Sequence, residues 1–328
     1  MKWHPNTLIT IALCGLLASC STDTRTLAID DRPAGAVQST HQTQAIKPAA
    51  QLQTPGQVLA EVITNYQETT TNCLEYGTGN PRGHYYCSGV LARTVDDGNF
   101  NPWMYGPTAI AIGATSYSWL RKDVIQTQLY HPAGFILRNR IDAIANSLPG
   151  LESGFICLYP FDAGTSTFNG HQGCGYRTAK LQEYPPITID DSNSKYAWGS
   201  CEGLGIATAQ QWDNHFKNSG YNRVRQCSWN IDSQTGWNNM IASRENFPAL
   251  NNVWNEILLN NYNDGGQMPK YIAAFFFDVN KAGSLQIART FQTKMNNAGY
   301  NVPILRLNFL APIGARFTYN AADQAVPQ

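Results

Sequence analysis

Charge is scarce in this chain of 328 residues: 14% are Asp, Glu, Lys or Arg, 23 basic against 23 acidic, for a formal sum of zero. No basic stripe is available to follow a phosphate backbone, so nucleic acid is not an expected partner. Long apolar runs are scarce too. The stretch from Leu8 to Leu17 is too short for a stable membrane span, and no later stretch is apolar for long enough. There is no Gly-x-Ser-x-Gly elbow, no His-Glu-x-x-His pair and no Walker loop, and the chemistries built on those motifs drop out. Cys-x-x-Cys pairs are absent, and the histidines do not stand at ligand spacing from the cysteines, so no metal is expected.

What is present begins at the N-terminus. Lys2 and the apolar run lead into Leu17-Ala18-Ser19-Cys20. This segment resembles the lipobox of bacterial lipoprotein signal peptides, in which the cysteine is lipidated; an ordinary signal peptide cut at a small residue is the alternative. The resemblance implies loss of residues 1–19 and a membrane anchor through lipid on Cys20. It places the protein in the bacterial cell envelope, lipid-anchored at the outer membrane, which Ser21 suits, or secreted. Residues 20–54, rich in Thr, Gln, Ala and Pro, cannot bury enough apolar surface to order and read as a flexible tether. Residues 55–328 are left as a single folded domain.

Six cysteines lie in that domain: Cys73, Cys87, Cys157, Cys174, Cys201 and Cys227. An even count in an exported chain reads as a disulfide framework. Fifteen pairings are open; pairing of neighbours (73–87, 157–174, 201–227) is preferred, each closing a short loop worth about 3 kcal/mol. Nothing in the sequence sets the oligomeric state.

The pattern of elements is α+β. Thr54 and Pro55 cap a helix whose Val58, Leu59, Val62, Ile63 and Tyr66 share a face, and a second helix runs over 207–220 to Gly220. Strands are expected over 84–95, 108–120, 134–137 and 154–161, with a helix near 139–148. The apolar run 270–279, the amphipathic stretch Gly283 to Ala298 and the strand 302–309 form a C-terminal β-α-β unit.

Candidate chemistry is dispersed. Arg93 closes the first strand, Ser116 and Ser118 share a face of the second, and Glu256 lies in Val-Trp-Asn-Glu-Ile-Leu-Leu. Each has a plain structural alternative. Arg93 can pair with Asp96 and Asp97 at the surface, and the serines can face solvent at a sheet edge. Leu250, Val253, Trp254, Ile257 and Leu258 fit an amphipathic helix as well as a strand, and a helix would turn Glu256 to water. In that case Glu245, in an irregular stretch beside aromatic residues, becomes the better carboxylate. Asp278 is a further candidate because it ends a strand, where α/β sheets bind ligands. His131, His171 and His215 read as structural.

Taken together, an Arg on an early strand, Ser-x-Ser on a middle strand and a Glu opening a late Glu-Ile-Leu-Leu run resemble the pattern of ADP-ribosyltransferase toxins. Residues 70 to 320, through Tyr-Tyr-Cys-Ser-Gly-Val-Leu-Ala-Arg-Thr (85–94), Ser-Tyr-Ser-Trp-Leu-Arg (116–121) and the C-terminal β-α-β unit, resemble the halovibrin family of exported bacterial NAD glycohydrolases. The resemblance implies that NAD is the substrate and that no further cofactor is needed. It assigns Arg93 to the pyrophosphate as a bidentate fork, the serines to the nicotinamide ribose, and Tyr117 and Trp119 to the NAD pocket, packed behind the serines. Glu256 would stabilise the oxocarbenium-like charge as nicotinamide leaves. Nicotinamide departs from a cation already neutral, so one carboxylate suffices. Two alternatives stand: a protein ADP-ribosyltransferase on the same scaffold, and a non-enzymatic envelope lipoprotein that binds glycan or another protein through its Tyr and Trp residues, marked by an exposed aromatic row with no carboxylate at its centre. Transferases that modify arginine carry Glu-x-Glu, and Trp254 occupies the first of those positions here, which favours water as acceptor.

Overall fold

In a computed structural model, the structure describes residues 53–74, 79, 83–95, 114–138, 155–163, 200–260 and 271–325. The expected signal peptide, Cys20, nearly all of the tether, residues 108–113 and the helix near 139–148 lie outside these.

The described residues build an eight-stranded mixed sheet: β1 (Val90–Thr94), β2 (Ala114–Leu120), β3 (Ala133–Leu137), β4 (Phe155–Tyr159), β5 (Glu256–Asn260), β6 (Ile272–Asp278), β7 (Ile304–Leu307) and β8 (Phe317–Tyr319). The spatial order is β4-β5-β2-β1-β3-β6-β7-β8. Every pairing is antiparallel except β6 with β7. All seven residues of β6 are buried, as an unbroken apolar run requires of a strand covered on both faces.

Four helices are described: α1 (Pro55–Gln67), α2 (Ala209–Asn218), α3 (Gln234–Glu245) and α4 (Ser284–Asn297). Thr54 and Thr208 each start a helix with a capping box, closed by Gln57 and Gln211. Helix α4 joins β6 to β7, giving the expected β-α-β unit. One sheet face packs Val58, Val62 and Tyr66 of α1 against Val90, Ala92, Ile136, Phe276 and Leu307. On the other, Trp212, Trp237, Met240 and Phe291 from the remaining helices meet Leu91, Trp119, Phe135 and Phe275.

Three expectations need correction. The strand over 84–95 starts only at Val90; His84–Tyr86 is a turn of 3-10 helix, and Gly89 follows at φ 74°. A Cβ at Gly89 would stand 2.1 Å from the Trp119 indole, so the left-handed turn is held open by packing. Second, α3 occupies what reads as irregular sequence. Its buried residues Gly236, Trp237, Met240, Ile241, Ser243 and Arg244 share one face, but the glycine, serine and arginine among them break the apolar stripe. A Cβ at Gly236 would meet the Asn230 carbonyl at 2.2 Å, which explains a glycine inside that helix. Third, the strand expected over 302–309 is shorter, Ile304–Leu307, and pairs with β8, three residues that no expectation covered.

Disulfides join Cys73 to Cys87 and Cys201 to Cys227, the preferred neighbour pairs. Cys157 is also disulfide-bonded; Cys174, its expected partner, lies outside the described residues.

Candidate functional site

Strands β5, β2 and β1 are direct neighbours, and they carry Glu256, Ser116 with Ser118, and Arg93. Ser116 pairs with Leu258 and Tyr117 with Ile257, so Ser118 and Glu256 stand side by side one step further along the ladder. Opposed antiparallel residues share a face. On its other flank Glu256 pairs with Tyr159 of β4. A carboxylate, a hydroxyl and a phenol from three adjacent strands thus lie on one face.

Glu256 belongs to a strand, which closes the helix alternative. Residues 248–250 form only a turn of 3-10 helix. Glu245, the second carboxylate candidate, is the last residue of α3 and is exposed, so its placement in an irregular stretch beside aromatic residues is corrected.

The site is dry. Glu256 is 1% exposed, and its Oε2 accepts a hydrogen bond from the Ala163 amide at 2.8 Å. Tyr159 is fully buried and its hydroxyl has no hydrogen-bond partner among the described residues. Burial first, and the neighbouring Glu256 carboxylate second, hold the phenol far above its ordinary value, so it keeps its proton. The Ser118 hydroxyl donates to the Asn255 carbonyl at 3.2 Å.

Arg93 lies on the opposite face. Ala92 pairs with Ser118, so alternation turns the next residue away, towards Tyr117. Its guanidinium stands 5.8 Å from the Tyr117 ring centroid and donates to the Ser116 carbonyl at 2.7 Å. Tyr117 and Trp119 are core residues on that same far face, at 3% and 0% exposure. Trp119 packs edge-on against Trp237 at 4.5 Å and donates to the Ser88 carbonyl. The sheet therefore joins Glu256, Ser118 and Tyr159 and separates them from Arg93, Tyr117 and Trp119.

Two residues absent from the sequence-based candidates hold this arrangement. The fully buried Asn255 clasps the Trp119 backbone, accepting from its amide and donating to its carbonyl, both at 2.7 Å. The side chain extends the β2–β5 ladder and fixes the register that sets Glu256 beside Ser118. Arg244, 2% exposed, donates to the carbonyls of Ile125, Pro160 and Val253. Pro160 follows Tyr159 and Val253 precedes β5, so one guanidinium ties both strand ends at the carboxylate. Burial pushes it down to about 9, still a cation at neutral pH. Neither residue breaks a local pattern that sequence reasoning can detect.

A second concavity opens elsewhere on the Glu256 face, at the carboxyl ends of β6 and β7. It encloses about 470 Å³ and is lined by Tyr130, His131, Trp254, Asp278, Lys281 and Phe309, among others; Glu256 and Ser118 are not part of it. Tyr130 is 67% exposed, with its ring 5.1 Å from that of Trp254 and 4.2 Å from His131. The sequence candidate Asp278 lies in this cavity. Among the described residues no group of three or more His, Cys, Asp and Glu is placed to hold a metal, and no helix is long and apolar enough to cross a membrane.

Neither the protein-family models nor the curated proteins compared with the chain match it.

Proposed function

We propose that the protein is an exported NAD glycohydrolase that releases nicotinamide and ADP-ribose, with Glu256 as the essential carboxylate. The observation that carries this reading is the adjacency of β1, β2 and β5, the strands bearing the Arg, Ser and Glu of the toxin-like pattern, with Glu256 opening β5 beside Ser118. In this mechanism the carboxylate bonds a ribose hydroxyl and stabilises the positive charge that grows on the sugar as neutral nicotinamide leaves. A water-poor setting strengthens that pull. Ser118 orients the carboxylate and ribose, and Tyr159, protonated and without a protein acceptor, offers a donor to the sugar.

Arg93 takes a different role from the one its motif implies. With its guanidinium on the Ser116 carbonyl and on the far face, it acts as a positioning residue for β2. NAD entry has to displace the Ala163 amide from Glu256. Water is the acceptor, because Trp254 stands where a second carboxylate would engage a protein acceptor. An N-terminus that resembles a lipobox, together with disulfides that fit an oxidising compartment, supports action from a lipid anchor in the cell envelope.

The test is nicotinamide release from NAD by the purified protein, with label on the ADP-ribose followed in parallel. Release with no label left on protein is expected. A folded protein that releases no nicotinamide refutes the reading, and label retained on protein replaces hydrolysis by transfer.

A further inference from the structure

The cavity beside Tyr130 holds two opposite charges that do not neutralise each other. Asp278 is 6% exposed, and its Oδ1 accepts from the backbone and side-chain nitrogens of Asn280 at 2.9 and 3.2 Å, while Oδ2 has no hydrogen-bond partner. Lys281, three residues on, is exposed, and among the described residues its ammonium makes no ion pair with Asp278 or any other group. Next to them Tyr130 and Trp254 present ring surface, their planes tilted by 50°. The volume falls within the roughly 300–1,000 Å³ of small-molecule sites. The position, outside the carboxyl ends of the one parallel strand pair among the described residues, is where open sheets bind ligands.

Each simple ligand class fails on one of these groups. A phosphate or carboxylate drawn to Lys281 meets the Asp278 carboxylate. An organic cation drawn to the rings and Asp278 meets Lys281. A wholly apolar molecule would strip water from both charges without replacing it. A hydroxyl group both donates and accepts, so neighbouring hydroxyls on one molecule can satisfy Asp278 Oδ2 and the Lys281 ammonium together. The C–H face of a sugar ring supplies the apolar surface that the aromatic pair needs, and rings tilted against each other suit a puckered ring better than the sandwiching of a flat base.

We propose that this cavity is a binding site for a neutral saccharide, separate from the Glu256 site. A pyranose packs on Tyr130 and Trp254 and bridges Asp278 and Lys281 through adjacent hydroxyls.

The experiment is a saturation-transfer NMR and tryptophan-emission titration of the purified protein with cellotetraose, maltotetraose and chitotetraose, with inorganic phosphate and ADP-ribose as competitors. At least one tetrasaccharide is expected to bind saturably at millimolar concentration or below, unaffected by phosphate. Tyr130→Ala, at an exposed position that folding does not need, and Asp278→Asn, which can still accept from Asn280, are each expected to weaken it by about tenfold, the worth of one hydrogen bond to a charged group. Glu256→Gln is expected to bind the saccharide as the wild type does. The proposal is overturned if none of the three saccharides binds, if both cavity variants bind as tightly as wild type, or if phosphate or ADP-ribose displaces the sugar.

Discussion

Glu256 and Asp278 stand at strand ends on the same sheet face, Glu256 opening β5 and Asp278 closing β6, yet their surroundings differ in kind. Glu256 is buried, with an amide that donates to it, a serine beside it and a phenol that keeps its proton. Asp278 faces an open cavity with one oxygen engaged, one not, and an unpaired lysine nearby. A buried carboxylate held by fixed dipoles is arranged to act on charge that appears during a reaction. A carboxylate and an ammonium that face one cavity without pairing suit a ligand that stays neutral. The proposed catalytic and saccharide sites thus rest on different surroundings on one sheet face.

The bracing of the two regions differs as well. Both described disulfides brace the β4–β1 half of the sheet: Cys201–Cys227 anchors the segment whose Trp229 bridges Leu158 of β4, and Cys73–Cys87 pins the turn before β1. The cavity has no such staple among the described residues. Reduction is the largest perturbation expected. Loops closed over separations of 14 and 26 residues are worth about 3 kcal/mol each, a large share of an ordinary domain's stability. Thermal melts with and without reductant test this, and an unchanged midpoint refutes it. Glu256→Gln comes next. It is expected to lower kcat about a hundredfold, near 3 kcal/mol, with KM for NAD little changed and saccharide affinity intact. If the variant loses both functions together, the two regions are one site.

Arg244→Lys separates the regions more finely. A single ammonium cannot reach three carbonyls, and buried acceptors left empty cost about 1–3 kcal/mol each. The ends of β4 and β5 should loosen at Glu256 while Tyr130 and Asp278 keep their geometry. The expected result is a drop in kcat for NAD of about tenfold beside unchanged tetrasaccharide binding. Equal losses at both sites would show that Arg244 supports the whole fold and not the carboxylate in particular.

How much of this can be read in the sequence follows from how local each feature is. Helices α1 and α2 are legible because capping boxes and apolar stripes are written within a few residues. Strand β6 is legible as an unbroken apolar run. Helix α3 is not, because Gly236, Ser243 and Arg244 interrupt the apolar residues of its buried face. The stretch before Ile257 supports helix and strand equally by periodicity; pairing with β2 and β4 decides, through an Asn255 clasp to a residue far away in the chain. Arg93 shows the limit most sharply. Its strand is read correctly, but a shift of one residue in long-range register exchanges the faces, and no local pattern fixes that parity. The cavity depends on Tyr130 meeting Trp254, a contact that only the finished topology makes.

His84 offers the smallest and most selective probe of the same comparison. It is fully buried beside the Trp119 and Trp237 rings, with Nε2 2.7 Å from the Asn238 side-chain oxygen and Nδ1 without a partner among the described residues. Burial pushes the imidazole below its ordinary value of 6.5; the Asn238 bond opposes this, Arg121 adds to it and Asp123 opposes it. A base whose folded value is depressed refuses a proton that the unfolded chain accepts. Its neutral form therefore costs no stability above pH 6.5, and stability falls as the pH drops below that value, with a slope of at most about 1.4 kcal/mol per pH unit. The Trp119 core lies behind the sheet from both sites, so the melting midpoint should decline between pH 7 and 5.5 while tetrasaccharide affinity stays constant. His84→Gln, which cannot titrate, should flatten that decline. A variant with the wild-type slope would assign the acid sensitivity to another group, and an affinity that falls in step with the midpoint would mean that the cavity does not keep its shape independently of the core behind β2.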